Sequence, residues 1–334
     1  MKTAILFILM LLVLVIPHEL GHMIVAKLCG VKVNEFSVGM GPCIFKRKKG
    51  ETQYSVRIFP LGGYCAMEGE DGESDNPRAF NNKTSLQKFY ILIAGVTMNI
   101  IIAIVGLSIA IGIGGIPTNK IDEVMPGSPA YIAGLESGDE IIEISGNKVN
   151  SWEDVKKYIN EADVNKKIEI TAKRKDGTVT MSMNPEYDKE TKSNKIGITA
   201  TLSRSPAKCI AYGSKTTWEM TKLIFEAFQK MVTGNFNKDD VAGPIGMVKV
   251  VDQTSNYGGR AYLMLLALVS INLAIFNLIP IPGLDGGKIF FIFLKIISGG
   301  RINDDMEYKA TMVGMVVLIS LFVLVTINDL INLF

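Results

Sequence analysis

Long apolar stretches alternate with polar sequence along the chain, and four of these stretches are long enough to cross a membrane. They lie at residues 3–28, 86–113, 261–279 and 310–327. A membrane-spanning helix needs about 20 mainly apolar residues, and each stretch is close to this length or longer. The pattern therefore predicts a multi-pass α-helical membrane protein with four transmembrane helices.

The first apolar stretch has a second interpretation, because a secretory signal peptide also combines a basic start with an apolar core. No small-x-small cleavage site follows it cleanly, and cleavage beyond it would remove both histidines of the chain. We interpret it as a retained span.

The sequence between the second and third spans is polar, charged and rich in strand-forming residues, which predicts a soluble domain at residues 115–201. Residues 1–114 then form the first part of a membrane core, with two spans and a hairpin loop. Residues 261–334 form its second part, with two more spans, and residues 202–260 connect the domain to it. Charged side chains recur at helical spacing within residues 207–233, which predicts an amphipathic helix at the membrane interface rather than a further span.

Two strand-like segments follow the first span, at residues 35–45 and 53–64, with a basic turn at residues 46–50 between them. Apolar and polar side chains alternate in the second segment, as they do in a half-buried strand. The sequence therefore predicts a small β-hairpin region beside the first span. Its edge either receives an extended peptide through main-chain hydrogen bonds or has no such role, and the sequence leaves both open. The acidic residues at 68–75 are predicted to form a solvated loop.

Turn and capping signals divide the soluble domain into short elements. A helix is predicted at residues 129–133 and an alternating strand at residues 141–144. Ser151 and Asp154 have the spacing of a helix N-cap and its third residue, which predicts that a helix begins there. Asp176-Gly177 stands between two strand-like segments and predicts a hairpin. Together these signals favour an α+β domain.

The chain has only two histidines among its 334 residues, and both fall in one five-residue His-Glu-x-x-His segment, from His18 to His22. Positions i and i+4 of a helix share a face, so the two imidazole rings can bind one metal ion. Glu19 points in another direction and is free to act as a base on a nearby water molecule. Imidazole ligands suit zinc, and the segment is a known zinc-binding pattern. The alternative is a pair of histidines that only pack against neighbouring helices; we favour the metal site.

The His-Glu-x-x-His segment lies inside the first apolar stretch. At 1.5 Å per residue, His18 is about 22 Å along a helix that starts at Thr3, within a hydrocarbon core of about 30 Å. Ionisable side chains are costly at such depth and therefore indicate function. Gly95 and Asn99 lie one turn apart in the second span, a pattern that favours close helix packing first and a role near the metal second.

A catalytic zinc site has three protein ligands and leaves one position open, so the histidine pair needs a partner. The first and third spans are separated by an even number of crossings and run in the same direction. His18 lies toward the far end of the first span and Asp285 lies just past the far end of the third, so both reach the same membrane face. Asp-Gly-Gly is also a turn-forming sequence, but next to an incomplete metal site we expect Asp285 to be the third ligand.

Basic residues are concentrated in two short loops beside the expected site. Cytoplasmic loops carry an excess of Lys and Arg, whereas long domains do not follow this rule. The site is therefore expected toward the cytoplasmic side, and the soluble domain is expected to be extracytoplasmic. The residues on which this expectation depends are Lys46, Arg47, Lys48, Lys49 and Arg57 in the first loop and Lys288, Lys295 and Arg301 after the third span.

Composition agrees with a membrane protein that carries a soluble part. Hydrophobic residues make up 48% of the chain and the mean hydropathy is +0.27, yet charged residues still reach 20%. The formal net charge of +2 and the lack of interleaved basic and aromatic residues give no reason to expect nucleic acid as a partner. The four cysteines are scattered, without the spacing of a structural zinc site or of a disulfide framework.

Two resemblances to known families follow from these motifs. Within the soluble domain, Pro-Gly-Ser-Pro-Ala, Ala-Gly-Leu, Gly-Asp and Ile-x-Gly stand in the order found in PDZ domains. The whole chain, with His-Glu-Leu-Gly-His in the first span and Asn-Leu-Ile-Pro-Ile-Pro-Gly-Leu-Asp-Gly-Gly at the end of the third, resembles the site-2 protease family of intramembrane zinc metalloproteases. It is most similar to the bacterial branch that releases regulators from membranes.

The resemblance implies that His18, His22 and Asp285 bind Zn²⁺. It implies also that Glu19 is the catalytic base and that Asn277 holds the substrate backbone. The region from Gly39 to Tyr64 would be a membrane-associated β-hairpin near the site. The substrates would be single-span membrane proteins, such as an anti-sigma factor or a signal-peptide remnant, cleaved in the cell membrane. Peptide ends are candidate ligands of the PDZ domain, which otherwise only excludes bulky substrates. Two other functions stay open, a catalytically inactive PDZ scaffold in the membrane and a membrane zinc transporter.

Overall fold

The computed structural model describes residues 2–70, 72, 74–233, 243–299 and 304–331. The chain divides into two compact units. The first, the membrane unit, contains Met1–Ala110 and Ile210–Phe334, and the second, the inserted unit, contains Ile111–Cys209. Each unit has its own core.

Long helices dominate the described part of the membrane unit. They are numbered in chain order together with two helices of the inserted unit and are α1 (Lys2–Leu28), α2 (Ser85–Gly114), α5 (Pro206–Val232), α6 (Pro244–Asn256), α7 (Gly259–Leu278), α8 (Asp285–Ile297) and α9 (Asp304–Ile331). In lipid a helix satisfies all its backbone polar groups internally, which explains why the apolar stretches fold in this way. Within the described residues α1, α2, α7 and α9 are long and apolar enough to cross a membrane, at the four places that the hydrophobic pattern predicts.

The remaining helices differ in how far the sequence predicts them. α5 covers the predicted amphipathic helix and is not among the described helices that could span a membrane. The short helices α6 and α8 are not predicted by the sequence pattern. α8 matters for the site because it begins at Asp285.

A long hairpin connects α1 to α2. Its strands β1 (Val33–Lys49) and β2 (Thr52–Met67) pair antiparallel and are longer than the two predicted segments. The prediction of a basic turn at residues 46–50 is wrong, because residues 46–49 lie on β1 and only Gly50-Glu51 turn the chain. Ladder hydrogen bonds such as those between Lys49 and Thr52 continue the strands almost to the tip.

The pairing of this hairpin is irregular and leaves one defined edge. Residues 35–38 face residues 63–66 on one side and residues 53–56 on the other, so they lie inside the sheet. Residues 63–67, called the edge segment, pair only with β1 among the described strands. β2 packs against α1, and the edge segment therefore lies next to the helix that carries both histidines.

The described acidic residues after β2 lie in a loop, as predicted, but Glu68 is bound by protein donors rather than only solvated. Glu68 accepts hydrogen bonds from Ser74 at 2.8 Å and from Asn34 and Lys32 at 3.1 Å. These three donors lower the pKa of Glu68 to about 2. Residues 71 and 73 of the predicted loop lie outside the described residues.

Two apolar clusters hold the membrane unit together. One joins the second half of α1 to α2, the hairpin and α8, and its buried members are Met23, Ala26, Val31, Val33, Phe36, Cys65, Met67, Phe80, Ile91, Leu92 and Ile289. The other joins the first half of α1 to α6 and α7, and its buried members are Met10, Leu14, Val251, Leu265 and Leu266. The His-Glu-x-x-His segment of α1 lies between these two clusters along the helix.

The inserted unit is an α+β domain. Its elements are β3 (Ile116–Val124), α3 (Pro129–Ala133), β4 (Glu140–Ile144), β5 (Asn147–Lys148), α4 (Trp152–Asn160), β6 (Ile168–Arg174), β7 (Gly177–Met183), β8 (Glu186–Asp188), β9 (Ser193–Lys195) and β10 (Ile198–Ser203). The main sheet has the order β10-β3-β4-β6-β7, with β5 paired to β4. Apolar side chains of α3, α4 and the sheet form one core around Ile121, Ile141 and Ile170.

The local predictions for this unit are confirmed. The Ser151 side chain accepts from the backbone N–H of Asp154, and Asp154 accepts from the backbone N–H of Ser151, which is a capping box at the start of α4. Arg174 pairs with Gly177 at the predicted hairpin. The predicted helix at 129–133 is α3.

Candidate metal centre

Three potential ligand atoms converge at the junction of α1 and α8. The Nε2 atoms of His18 and His22 lie 3.2 Å apart, and each lies 3.3 Å from Asp285 Oδ2. The histidines come from adjacent turns of α1, as the i, i+4 spacing requires. Asp285 comes from the first residue of α8. The described chain contains this one cluster of three or more His, Cys, Asp or Glu side chains that could hold a metal ion.

The spacing of the three atoms matches a tetrahedral zinc site. Zinc binds imidazole nitrogen and carboxylate oxygen at about 2.0–2.1 Å in tetrahedral geometry, which sets the ligand atoms about 3.3–3.4 Å apart. The observed separations of 3.2, 3.3 and 3.3 Å are close to this value. Three protein ligands also leave the fourth tetrahedral position open, as a catalytic site requires. The donor set therefore fits zinc.

Hydrogen bonding also favours a cation between these atoms. The Nδ1 of His22 lies 2.8 Å from the carbonyl oxygen of Ile91, which can only accept, so Nδ1 carries the proton. In the neutral ring Nε2 then presents a lone pair. Asp285 Oδ2 is buried and has no hydrogen-bond partner in the described chain. Lone pairs that face one another repel, and a bound cation removes this repulsion.

The side chain of Asn99 contacts Nδ1 of His18, as the carbonyl oxygen of Ile91 contacts Nδ1 of His22. Its side-chain amide is fully buried and lies 3.2 Å from His18 Nδ1 through Nδ2, while its Oδ1 has no partner in the described chain. Amide N and O are assigned from the hydrogen-bond network, and exchanging them lets Oδ1 accept from His18 Nδ1–H. Both rings then present Nε2 toward Asp285 Oδ2. The contact corresponds to the second of the two roles that the sequence allows for Asn99.

Glycines let α1 and α2 approach closely at this point. A Cβ on Gly21 would lie 2.6 Å from the carbonyl oxygen of Ala94, and a Cβ on Gly95 would lie 2.7 Å from carbon atoms of both His18 and His22. These distances leave no room for a side chain. Gly95 therefore provides the space in which the two imidazole rings meet.

Glu19 lies beside the cluster and faces the hairpin. It is half-buried, and its Cγ lies 3.7 Å from where a Cβ on Gly63 of the edge segment would stand. Its carboxylate is near enough to both histidines and to Asp285 to interact with them electrostatically. Glu19 thus lies near both the three ligand atoms and the edge segment.

Asn277 reaches the same point from the end of α7. Its Nδ2 lies 3.4 Å from His18 Nε2, and its side chain is half-buried. The structure therefore brings together all five residues that the sequence singles out. The carbonyl of Ile91, which orients His22, has no sequence signal, because any residue at this position of α2 supplies the same backbone oxygen.

The Asp-Gly-Gly sequence places Asp285 by allowing a tight chain reversal. Between α7 and α8 the chain passes through Pro280 and Pro282, and Gly283 has a φ of 101°. A Cβ on Gly287 would lie 2.8 Å from the carbonyl carbon of Ile281. The glycines thus allow α8 to pack back against its own connection, and the first residue of α8 then points at α1.

Comparisons with known proteins agree with this geometry. Residues 6–321 match the model of peptidase family M50. A relative from Clostridium perfringens is 38% identical over 324 residues, which cover 95% of each chain. The regulator of sigma-W protease RasP of Bacillus subtilis is 30% identical over 419 aligned residues, covering 100% of this chain and 99% of its own. The zinc metalloprotease RasP of Bacillus licheniformis is 30% identical and covers 100% of both chains.

One solved structure that the chain resembles matches a part of it. The PDZ domain of an SdrC-like protein from Listeria monocytogenes is 28% identical over 26% of this chain and 87% of its own, with a TM-score of 0.22. The family match, in contrast, extends through both parts of the membrane unit. The described residues include four helices that are long and apolar enough to span a membrane. The chain therefore belongs to peptidase family M50, the site-2 protease family, and is a zinc-dependent metalloendopeptidase of the membrane.

Proposed function

We propose that His18, His22 and Asp285 hold the zinc ion and that the enzyme cleaves peptide bonds within or near the transmembrane segment of single-span membrane proteins. The observation that carries this proposal is the set of three ligand atoms 3.2–3.3 Å apart, enclosed by helices that are apolar enough to lie in a membrane. A site at this depth acts on segments that are themselves in the membrane.

Glu19 is the general base in this proposal. Zinc bound at the three ligands supplies Lewis acidity at the scissile carbonyl and at the attacking water. Glu19 accepts a proton from the water as its oxygen bonds to the carbonyl carbon. The same carboxyl then gives the proton to the amide nitrogen as the C–N bond breaks, so one water becomes the new carboxyl and amino ends.

Asn277 and the edge segment are proposed to hold the substrate backbone. A helical substrate hides its carbonyls in hydrogen bonds, and groups freed by unwinding need partners in lipid. The edge segment passes beside Glu19 and has an open side, so an unwound segment can add to it as a strand. The Asn277 amide N–H donates to a substrate carbonyl at the same place.

The proposed substrates are single-span regulators, such as an anti-sigma factor, or signal-peptide remnants. One relative over the whole chain is named a regulator of sigma-W protease, which supports regulators as a class. We also propose that the hairpin associates with the membrane, since exposed apolar side chains lie on it beside the basic residues 46–49. These apolar residues are Met40, Ile44, Phe45, Val56, Ile58 and Phe59.

The metal site is proposed to face the cytoplasm and the PDZ domain, at residues 115–201, to lie outside. The supporting observation is the excess of Lys and Arg in the short loops beside the site. Single cysteines introduced at Lys48 and at Lys189, in a chain without its native cysteines, test this. In intact cells a membrane-impermeant maleimide should label position 189 and not position 48; the reverse pattern would contradict the assignment.

The PDZ domain is proposed to receive peptide ends rather than only to exclude bulky substrates. A cavity of about 450 Å³ lies between α4 and the chain that leads into β10, with Trp152, Val155 and Ile159 on one wall and Ile196 and Ile198 on the other. β10 is the outer strand of its sheet. An extended peptide can therefore pair with β10 and place an apolar side chain in the cavity.

Fluorescence separates these two roles, because Trp152 lines the cavity and the only other tryptophan is Trp218. In a Trp218→Phe background, peptides with a free apolar C-terminal residue should shift the Trp152 emission in a saturable way. If the domain only excludes bulky substrates, the peptides should not change the Trp152 emission. Deletion of such a domain should instead allow the enzyme to cleave reporters with large ectodomains.

The proposed catalytic roles are tested by Glu19→Gln in the full-length protein with a single-span reporter. The variant should keep its zinc, because Glu19 is not a ligand, and cleavage should fall by about 10²–10⁴-fold, the contribution of a general base. Full cleavage by the variant would reject Glu19 as the base. Loss of zinc in the variant would show that Glu19 belongs to the ligand set instead.

A further inference from the structure

We propose that the ion pair between Lys288 and Glu70 helps to position Asp285 against the two histidines. The inference rests on the proposed role of Asp285 as a ligand and adds a pair of residues that hold it in place. Both residues act through Asp285 and are positioning residues.

The pair involves the first turn of α8, the helix that begins at Asp285. Lys288 Nζ lies 2.7 Å from Glu70 Oε1, and the two side chains are 22% and 15% exposed. Lys288 stands three residues after Asp285 in the first turn of α8, so the two side chains lie on neighbouring parts of the helix surface. A displacement of Lys288 therefore moves Asp285 with it.

Glu70, the other member of the pair, follows the strand that packs against α1, the helix that carries both histidines. Glu70 follows β2 by three residues, and Gly63 of β2 lies against Glu19. The ion pair therefore joins α8 to the sheet that packs on α1. His22 and Asp285 are 263 residues apart (285 minus 22), so noncovalent contacts between distant segments set their relative position.

The apolar contacts of α8 leave this position less defined. Ile289 is buried in the cluster with Met23 and Leu92, and Ile292 packs against the same cluster. Such contacts are non-directional, and they tolerate small shifts of a helix along its axis. A charge-assisted hydrogen bond is short and directional. It selects one position of the first turn of α8, which a tetrahedral site needs for its carboxylate ligand.

A second ion pair on the same helix provides a matched control. Lys295 pairs with Glu307, and these side chains are 26% and 25% exposed. This pair joins the last turn of α8, ten residues after Asp285, to α9. Its removal should alter the packing of α8 without changing the direction of Asp285.

Positioning and plain electrostatics make opposite predictions for Lys288→Met. If the ammonium group only repelled the metal, its removal would strengthen zinc binding. If it positions Asp285, its removal weakens zinc binding although a positive charge has left the site. The sign of the change therefore separates the two explanations.

The experiment measures the zinc Kd of the purified full-length protein by competition with a chelator. Lys288→Met and Glu70→Gln should each raise Kd by about tenfold, the lower end of the range seen when partners of metal ligands are removed. The exchange variant Glu70→Lys with Lys288→Glu should return Kd to within about threefold of the wild type. Lys295→Met and Glu307→Gln should leave it within about twofold.

Cobalt substitution adds a readout of ligand geometry. The visible absorption of Co²⁺ at the site should change in Lys288→Met and return in the exchange variant. Unchanged or tighter zinc binding by Lys288→Met overturns the proposal, as does an exchange variant no better than the single variants. If Lys288→Met does not fold, the exchange variant decides alone. Asp285→Ala serves as the separate test of the ligand assignment, since wild-type zinc affinity there would reject the proposed function instead.

Discussion

Two carboxylates that each have a buried oxygen, one in each unit, have opposite surroundings. Asp139 of the inserted unit accepts hydrogen bonds from Arg174 at 2.8 and 2.9 Å and from the backbone N–H of Glu136 at 3.0 Å. Asp285 of the membrane unit has an oxygen without a hydrogen-bond donor in the described chain, 3.3 Å from the Nε2 atoms of both His18 and His22. Folding alone completes the partners of Asp139, whereas Asp285 needs a cation.

Burial in the membrane unit is not the cause of this difference. Asp329, at the end of α9, is also buried in the membrane unit, and its carboxylate accepts backbone hydrogen bonds at the start of α6 from Gly243, Ile245 and Gly246 at 2.8–3.1 Å. Within the same unit, one carboxylate is thus satisfied by the chain and another is left open. A buried polar atom without a partner is costly, and it persists where a ligand supplies the missing interaction.

The largest effect is expected from Asp285→Ala. It removes one of three proposed ligands, so the zinc content should fall from about one ion per chain to less than about a tenth, and cleavage should fall by at least about 10³-fold. Elemental analysis and reporter cleavage measure both. Asp139→Ala is the matched control and should keep its zinc, because its loss affects only the inserted unit. Equal zinc content in the two variants would show that Asp285 and Asp139 do not differ in their contribution to zinc binding.

Asn277→Leu should reduce cleavage by about 10²-fold while zinc stays bound. Asn277 lies 3.4 Å from His18 Nε2 through its amide nitrogen and is proposed to donate to the substrate, an interaction of the size that a single oxyanion donor contributes. Zinc content and single-turnover cleavage are the measurements. Wild-type cleavage by the variant would remove Asn277 from the mechanism.

Asn99→Ala should weaken zinc binding by about tenfold or more, because His18 loses the group that orients its ring. The control is Ser270→Ala, which removes the 2.7 Å hydrogen bond from Ser270 to the backbone carbonyl of Asn99. The side chain of Asn99 stays present in this variant. Ser270→Ala should change the zinc Kd by less than about threefold. If both variants bind zinc equally, Asn99 acts only in helix packing.

The smallest effect is expected from Arg174→Met in the inserted unit. The Arg174 hydrogen bonds hold the pKa of Asp139 below its usual range. A carboxyl whose pKa is lower in the folded state contributes stability above its unfolded pKa of about 3.9 and loses this contribution as the pH falls through the folded value. Arg174→Met should therefore lower the free energy of unfolding of the inserted unit by about 2 kcal/mol at neutral pH, and less near pH 2.

Hydrogen exchange of the amides in β4 and β6 measures this loss within the full-length protein. Zinc content should not change, because Arg174 and Asp139 lie in the other unit from the proposed ligands. An equal loss of protection at pH 2 and pH 7 would show that the Arg174–Asp139 pair is not responsible.

Sequence predicts best the features that depend on neighbouring residues. The spacing of His18 and His22 brings two rings to one helix face, and the spacing of Ser151 and Asp154 forms a capping box, because helix geometry determines both. Asp285 is predicted from a longer argument, since counting spans brings it to the same membrane face as His18.

Features that depend on packing between distant segments cannot be predicted in this way. The pair of Glu70 and Lys288 joins residues 218 apart, and neither residue type indicates its partner. The hairpin register is irregular in a way that alternation does not encode, because residues 35–38 pair on both sides. For Asn99 the sequence gives the residue and its depth but not the contact, which depends on how closely Gly95 lets α1 and α2 approach.

X-ray absorption at the zinc edge of the purified full-length protein tests the central claim most directly. The account predicts nitrogen and oxygen ligands at about 2.0–2.1 Å that include two imidazole rings, and a spectrum that loses this form in Asp285→Ala. A sulfur ligand at about 2.3 Å, or a spectrum that Asp285→Ala leaves unchanged, would contradict it.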